Sequence, residues 1–222
     1  MCGRFTRKDN LQHLTELLGL KSIPPLVPRY NIAPSQLVTC VRTNQDTLDR
    51  EWVELKWGLV PPWAKDASMG NKLINARGET VAEKPSFRNA FKQQRCLVLA
   101  DGFYEWKREG KSKQPYYIRF KDHRPFAFAG IWERWERLDP AIESCSLITI
   151  GPNAVMEPIH HRMPVILPTT QYAEWLDASL QETERLNTLL QPFPPEEMEA
   201  YPVSLMVNNP SNDQPECVMP LY

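Results

Sequence analysis

Apolar positions along the chain gather mostly in short strand-like runs. The segments 37–41 (LVTCV), 52–58 (WVELKWG), 96–106 (CLVLADGFYEW), 116–120 (YYIRF), 126–132 (FAFAGIW), 145–150 (CSLITI) and 164–168 (PVILP) are rich in β-branched and aromatic residues. Gly, Pro, Asp or Lys bounds them, and the pattern predicts strands. Helical spacing is rarer. In 6–19 (TRKDNLQHLTELLG), Thr6 is a candidate cap, Leu11, Leu14, Leu17 and Leu18 share a face, and Gly19 is a stop. Residues 85–94 can start a helix at Ser86, and TTQYAEWLD and ETERLNTLL supply two more. Strands dominate without alternating strictly with helices. This predicts an α+β fold, mostly antiparallel and barrel-like, with peripheral helices.

The chain of 222 residues suffices for one domain with a sizeable core, and 208–222 read as a draped or poorly ordered tail. The 21 prolines are dispersed, which implies many short elements and turns. No apolar run approaches membrane-spanning length and no apolar leader opens the chain, so the expectation is a cytoplasmic protein away from membranes. Five cysteines, widely spaced and without a CxxC pair, argue against a disulfide framework or a structural zinc.

Net charge is −1, yet residues 1–135 hold 23 Lys and Arg against 14 Asp and Glu, and residues 136–222 hold 3 against 13. Such a chain can present a basic face to nucleic acid, or merely decorate solvated surfaces.

Several side chains stand out chemically. Cys2 follows the initiator methionine; freed of Met1, it would be a 1,2-aminothiol, with an ordinary amine pKa of about 7.7–8.0 and a thiol near about 8.5. A positive neighbour such as Arg4 would lower both. Period-two counting puts Leu97, Leu99, Asp101, Phe103 and Glu105 on one face, where Glu105 is either a strand-end carboxylate or an acid/base held among Phe103, Tyr104 and Trp106. His160 and His161 are adjacent, which suits one metal poorly. Cys2, Asn75 and His160 each precede an arginine by two residues (Arg4, Arg77, Arg162), a pattern suited to gripping phosphates if the segments are extended. Trp63, Tyr104 and Trp106 could stack on bases, and Pro61 and Pro62 would stiffen a wedge-like loop.

Six motifs in order, MCGRF, YNIAPSQ, WGLVPPWA, INARGET, LADGFYEWK and HHRMPVIL, resemble the SOS-response-associated peptidase (SRAP) family, densely over residues 1 to about 170 and thinly beyond. The resemblance implies attachment to abasic sites in single-stranded DNA. Mature Cys2 would form a thiazolidine crosslink, Glu105 would assist sugar opening and imine formation, and His160 would shuttle protons. Asn75 would orient the reacting groups, and His161 would be structural. Arg4, Arg77, Arg162 and Trp106 become the expected DNA contacts, with no metal or cofactor required and weak lyase activity plausible. Two alternatives stay open: a cysteine peptidase in which Cys2, His160 and Asn75 act as nucleophile, base and orienter, with removal of Met1 as its minimal reaction, and a non-catalytic single-strand binder. Nothing in the sequence demands a dimer.

Overall fold

Thirteen strands and four short helices make up the computed structural model of the chain, which describes residues 2–8, 11–20 and 25–221. In chain order the strands are β1 (Arg4–Arg7), β2 (Arg29–Ile32), β3 (Leu37–Thr43), β4 (Arg50–Trp57), β5 (Asn75–Arg77), β6 (Arg95–Ala100), β7 (Gly102–Glu109), β8 (Ser112–Phe120), β9 (Phe126–Trp135), β10 (Ile142–Ile150), β11 (Met163–Pro164), β12 (Ile166–Leu167) and β13 (Met198–Pro202). Helices α1 (Gln12–Leu17), α2 (Arg88–Gln93), α3 (Tyr172–Leu176) and α4 (Thr183–Thr188) lie around them.

Strands β4, β3, β6 and β9 are antiparallel neighbours; β10 joins β4 in parallel and pairs back onto β9, closing a five-stranded barrel. A second, antiparallel sheet runs β13–β8–β7–β1–β2. The fold is the expected α+β, mostly antiparallel and barrel-like. Phe5 of β1 and Phe103 of β7 join the two bodies, packing against Trp57 and Phe128 of the barrel at ring separations of 5.1 to 5.9 Å.

The expected single strand 96–106 is two strands in different sheets. Asp101 makes the corner: its N–H donates to Thr6 O, and its carboxylate accepts from the Thr6 hydroxyl and from Lys8 N. Gly102 completes it, since a Cβ there would fall 2.1 Å from Tyr117 Oη. The alternating pattern therefore continues through a bend that changes sheets. Thr6 does not cap a helix; it lies within β1, and α1 begins six residues later. Asp9 and Asn10 of that expected helix lie outside the described residues. Gly19 ends α1 as expected, at φ +67°. Helix α2 begins at Arg88 rather than Ser86, with no side-chain cap. The 164–168 run divides into β11 and β12.

Residues 208–221 are draped over the second sheet and well held. Arg4 Nη1 donates to Val207 O at 2.7 Å, and the Asp213 carboxylate accepts from Arg29 and from the N–H groups of Tyr30 and Asn31. Cys217 is buried in a cluster with Tyr104, Tyr117, Val203 and Val207. Among the described residues, no helix is long and apolar enough to cross a membrane.

Candidate active site

Four chain segments meet where the second sheet abuts the barrel. Cys2 leads into β1, Asn75 opens β5, Glu105 lies mid-β7, and His160 sits in the connection between β10 and β11. Strand β5 is positioned by parallel pairing with β10, Leu147 opposite Asn75. Glu105 shares the barrel-facing side of β7 with Phe103 by strand alternation.

Cys2 is fully buried. Asn75 Nδ2 donates to its carbonyl oxygen at 2.7 Å, whereas Asn75 Oδ1 is buried with no donor among the described residues. One end of the amide thus fixes the Cys2 main chain, and the other is an acceptor awaiting a partner. The Cys2 thiol lies 3.9 Å from Arg4 O. Burial pushes this thiol well above its ordinary range, and the Glu105 carboxylate pushes the same way. Arg4 acts downward only through its backbone carbonyl, not through the expected effect of its positive charge. That guanidinium turns to Asn31 Oδ1, Val207 O and Asn208 O. Burial therefore leaves the thiol neutral at pH 7.

Glu105 is 2% exposed, and burial raises its carboxyl from 4.5 to about 7. Its Oε1 is 3.9 Å from His160 Nδ1. His160 Nδ1 lies 3.0 Å from the Arg162 N–H and 3.1 Å from Arg162 O, so the Arg162 backbone holds the ring in either tautomer. Burial lowers the imidazole below its usual value, and the neighbouring His161 and Arg162 charges act in the same direction. His161, exposed, stacks on His160 with centroids 4.4 Å apart. The site therefore combines a neutral thiol, a neutral imidazole and a carboxyl that gives or takes a proton near neutrality.

The three arginines are not equivalent. Arg4 is committed to the tail. Arg162 holds Glu79 through two bonds of 2.5 and 2.9 Å and also donates to Thr149 O. Arg77 is exposed, with no hydrogen bond or ion pair among the described residues, on the same side of β5 as Asn75. Tyr104 is fully buried with its hydroxyl on Tyr30 O and offers no stacking face. Trp106 is half-buried, its indole N–H on Asn208 Oδ1 at 2.7 Å. Trp63 is 51% exposed on the loop after Pro61 and Pro62. Glu79 and Thr149 escape the sequence reading because nothing in their spacing links them to Arg162, 83 and 13 residues away.

Residues 1–210 match the family model described as SOS response associated peptidase (SRAP). The Bacillus subtilis abasic site processing protein YoqW is 44% identical over 98% of this chain and 99% of its own. The chicken abasic site processing protein HMCES is 35% identical over 82% of this chain and 61% of its own. A crystallised protein from Bacteroides thetaiotaomicron superposes with a TM-score of 0.85 at 29% identity, both chains covered in full. The motifs, the barrel with its attached sheet and these likenesses agree: the chain belongs to the SOS response associated peptidase (SRAP) family.

Proposed function

We propose that this protein captures abasic sites in single-stranded DNA by a covalent bond through mature Cys2. The observation that carries the reading is the convergence of Asn75, Glu105 and His160 on a residue that becomes an N-terminal cysteine once Met1 is removed; Met1 itself lies outside the described residues. The relatives named abasic site processing proteins support the substrate class.

The open-chain abasic sugar presents an aldehyde. The Cys2 amine adds to its carbon, giving a carbinolamine. Glu105, half-protonated near pH 7, donates a proton as the hydroxyl leaves as water, so its carboxylate faces the iminium just formed. The Cys2 sulfur then adds to the same carbon, and the thiol proton passes to base, with His160 within the same cluster to relay it. The ring nitrogen ends neutral, and the product is a thiazolidine. Asn75 Oδ1, the buried acceptor without a donor, receives a sugar hydroxyl or the liberated amine. Arg77 and the exposed Trp63 meet the phosphate and bases nearby. Proton loss from the sugar at the iminium stage would also allow weak strand cleavage.

A neutral, buried thiol with no hydrogen bond to an imidazole among the described residues favours this amine-first route over a cysteine-peptidase thiolate. The test is to mix Met1-free protein with an oligonucleotide bearing one abasic site and resolve the products on a denaturing gel. A heat-stable adduct is expected, absent in Cys2→Ala and reduced to a borohydride-trappable imine in Cys2→Ser. Undiminished capture by protein acetylated at that terminus would overturn the mechanism.

A further inference from the structure

The hairpin that carries Glu105 continues well past the site. Strands β7 and β8 run out to a tight turn in which Glu109 pairs with Ser112 and Gly110 sits at φ +62°. Strand alternation places Trp106 and Arg108 on one face, and the register sets Pro115 opposite Trp106 and Lys113 opposite Arg108. Like charges directly opposed across a ladder are destabilising, so this pair costs the fold something.

Arg108, Lys111 and Lys113 are all exposed, and among the described residues none has a carboxylate partner. Arg119, Arg134 and Arg185, by contrast, are paired, with Glu199, Glu136 and Glu174. Within residues 108–113 these three exposed cations stand against one carboxylate, Glu109.

We infer that the basic tip of the β7–β8 hairpin is a second DNA contact, taking backbone phosphates of nucleotides that flank the captured one. The inference rests on the abasic-site reading for the direction in which the DNA runs. At about 3.3 Å per residue, Arg108 stands about 10 Å along the strand from Glu105, and the chain turns back at Gly110 and Lys111 about 15 Å along. Arg108 shares the face of Trp106, opposite to that of Glu105, and the tip lies beyond the reacting sugar on the strand that carries Glu105.

The test is the double variant Arg108→Gln/Lys113→Gln, neither residue being part of the chemistry. Binding is measured to undamaged oligonucleotides, which need no Cys2 chemistry: a short one spanning only the site, and a long one, bare or annealed to a complement along its flanks. With about 0.7 counterions released per single-strand phosphate contact, the slope of log affinity against log salt on the long strand should flatten by about 1.4. Between about 50 and 200 mM salt this makes the affinity loss about sevenfold smaller than for the unmodified protein. Binding to the short strand, and crosslinking of a short strand that carries one abasic site, should not change. Flattening with the bare or the annealed flank supports the inference and tells which form supplies the phosphates. An unchanged slope on both, or an equal effect on the short strand, overturns it. Failure of the unmodified protein to crosslink would instead sink the capture reading and leave flank binding measurable.

Discussion

Replacing Glu105 by glutamine should stabilise the protein above neutral pH while impairing capture. The carboxyl is 2% exposed, and burial raises it from 4.5 to about 7. Between those two values the folded chain keeps a proton that the unfolded chain has released. Stability therefore falls as pH rises through this window, and the loss is complete above pH 7. Each pH unit corresponds to about 1.4 kcal/mol, so the gap amounts to about 3 kcal/mol. Glutamine fills the same space and does not titrate. The stability of Glu105→Gln relative to the unmodified protein should thus climb by about 3 kcal/mol between pH 4.5 and 8.

Denaturant unfolding of both proteins at a series of pH values measures this directly. Glu133, also raised to about 7 by burial, is present in both proteins and cancels. A difference that stays flat across the window, or that shrinks with pH, would refute the reasoning. It would mean that Glu105 is ionised in the folded state at low pH, as a charged His160 at 3.9 Å would make it.

Three further outcomes are expected. Asn75→Ala removes the bond to Cys2 O, and at about 1–3 kcal/mol for a buried partner lost it should slow crosslinking about 5- to 150-fold in single-turnover gels at saturating DNA. Gly102→Ala forces a Cβ to 2.1 Å from Tyr117 Oη and 2.2 Å from Cζ, so unfolding curves should show at least about 1–3 kcal/mol lost, with no rescue by Tyr117→Phe because the ring carbon remains. Arg4→Ala takes away the donors to Val207 O and Asn208 O, and limited proteolysis read by mass should cut first within 205–216.

The barrel was legible in the sequence because its strands are apolar throughout. β6 is buried at every position, and β9 and β10 nearly so, which leaves runs that resist any helical reading. β1 was not legible. Its polar positions, Thr6 and Arg7, imitate a capped helix start, and they are buried only because Asp101, Tyr117 and Val27 O satisfy them from distant segments. The corner at Asp101 was hidden for a related reason: a sharp bend that keeps the period of two leaves no trace in the pattern. At the site, motif resemblance located Cys2, Asn75, Glu105 and His160, whereas their protonation depends on burial that no spacing reveals. The arginine spacing gave no sign of the partners that hold two of its members, Asn31 and Asn208 for Arg4 and Glu79 for Arg162.

The placement of the site between two sheets explains why it can remain uncharged. A barrel wall supplies Asn75, the attached sheet supplies Cys2 and Glu105, and their joint closes around groups that would titrate freely in water. In the proposed reaction, the same burial that keeps the thiol protonated would hold back the sulfur until an iminium forms beside it. Glu105, having given up its proton, would then be an anion beside that charge. The proposed nucleophilic order follows from electrostatics: the amine would act first, because neutral sulfur in an apolar joint is a weak nucleophile, and ring closure would follow once positive charge appears on carbon. A variant that opens the joint without touching the four residues, such as Phe103→Ala, should ionise Cys2 more easily and show this as faster alkylation by a small haloacetamide. Alkylation no faster than in the intact protein would mean that packing between the sheets does not govern the thiol.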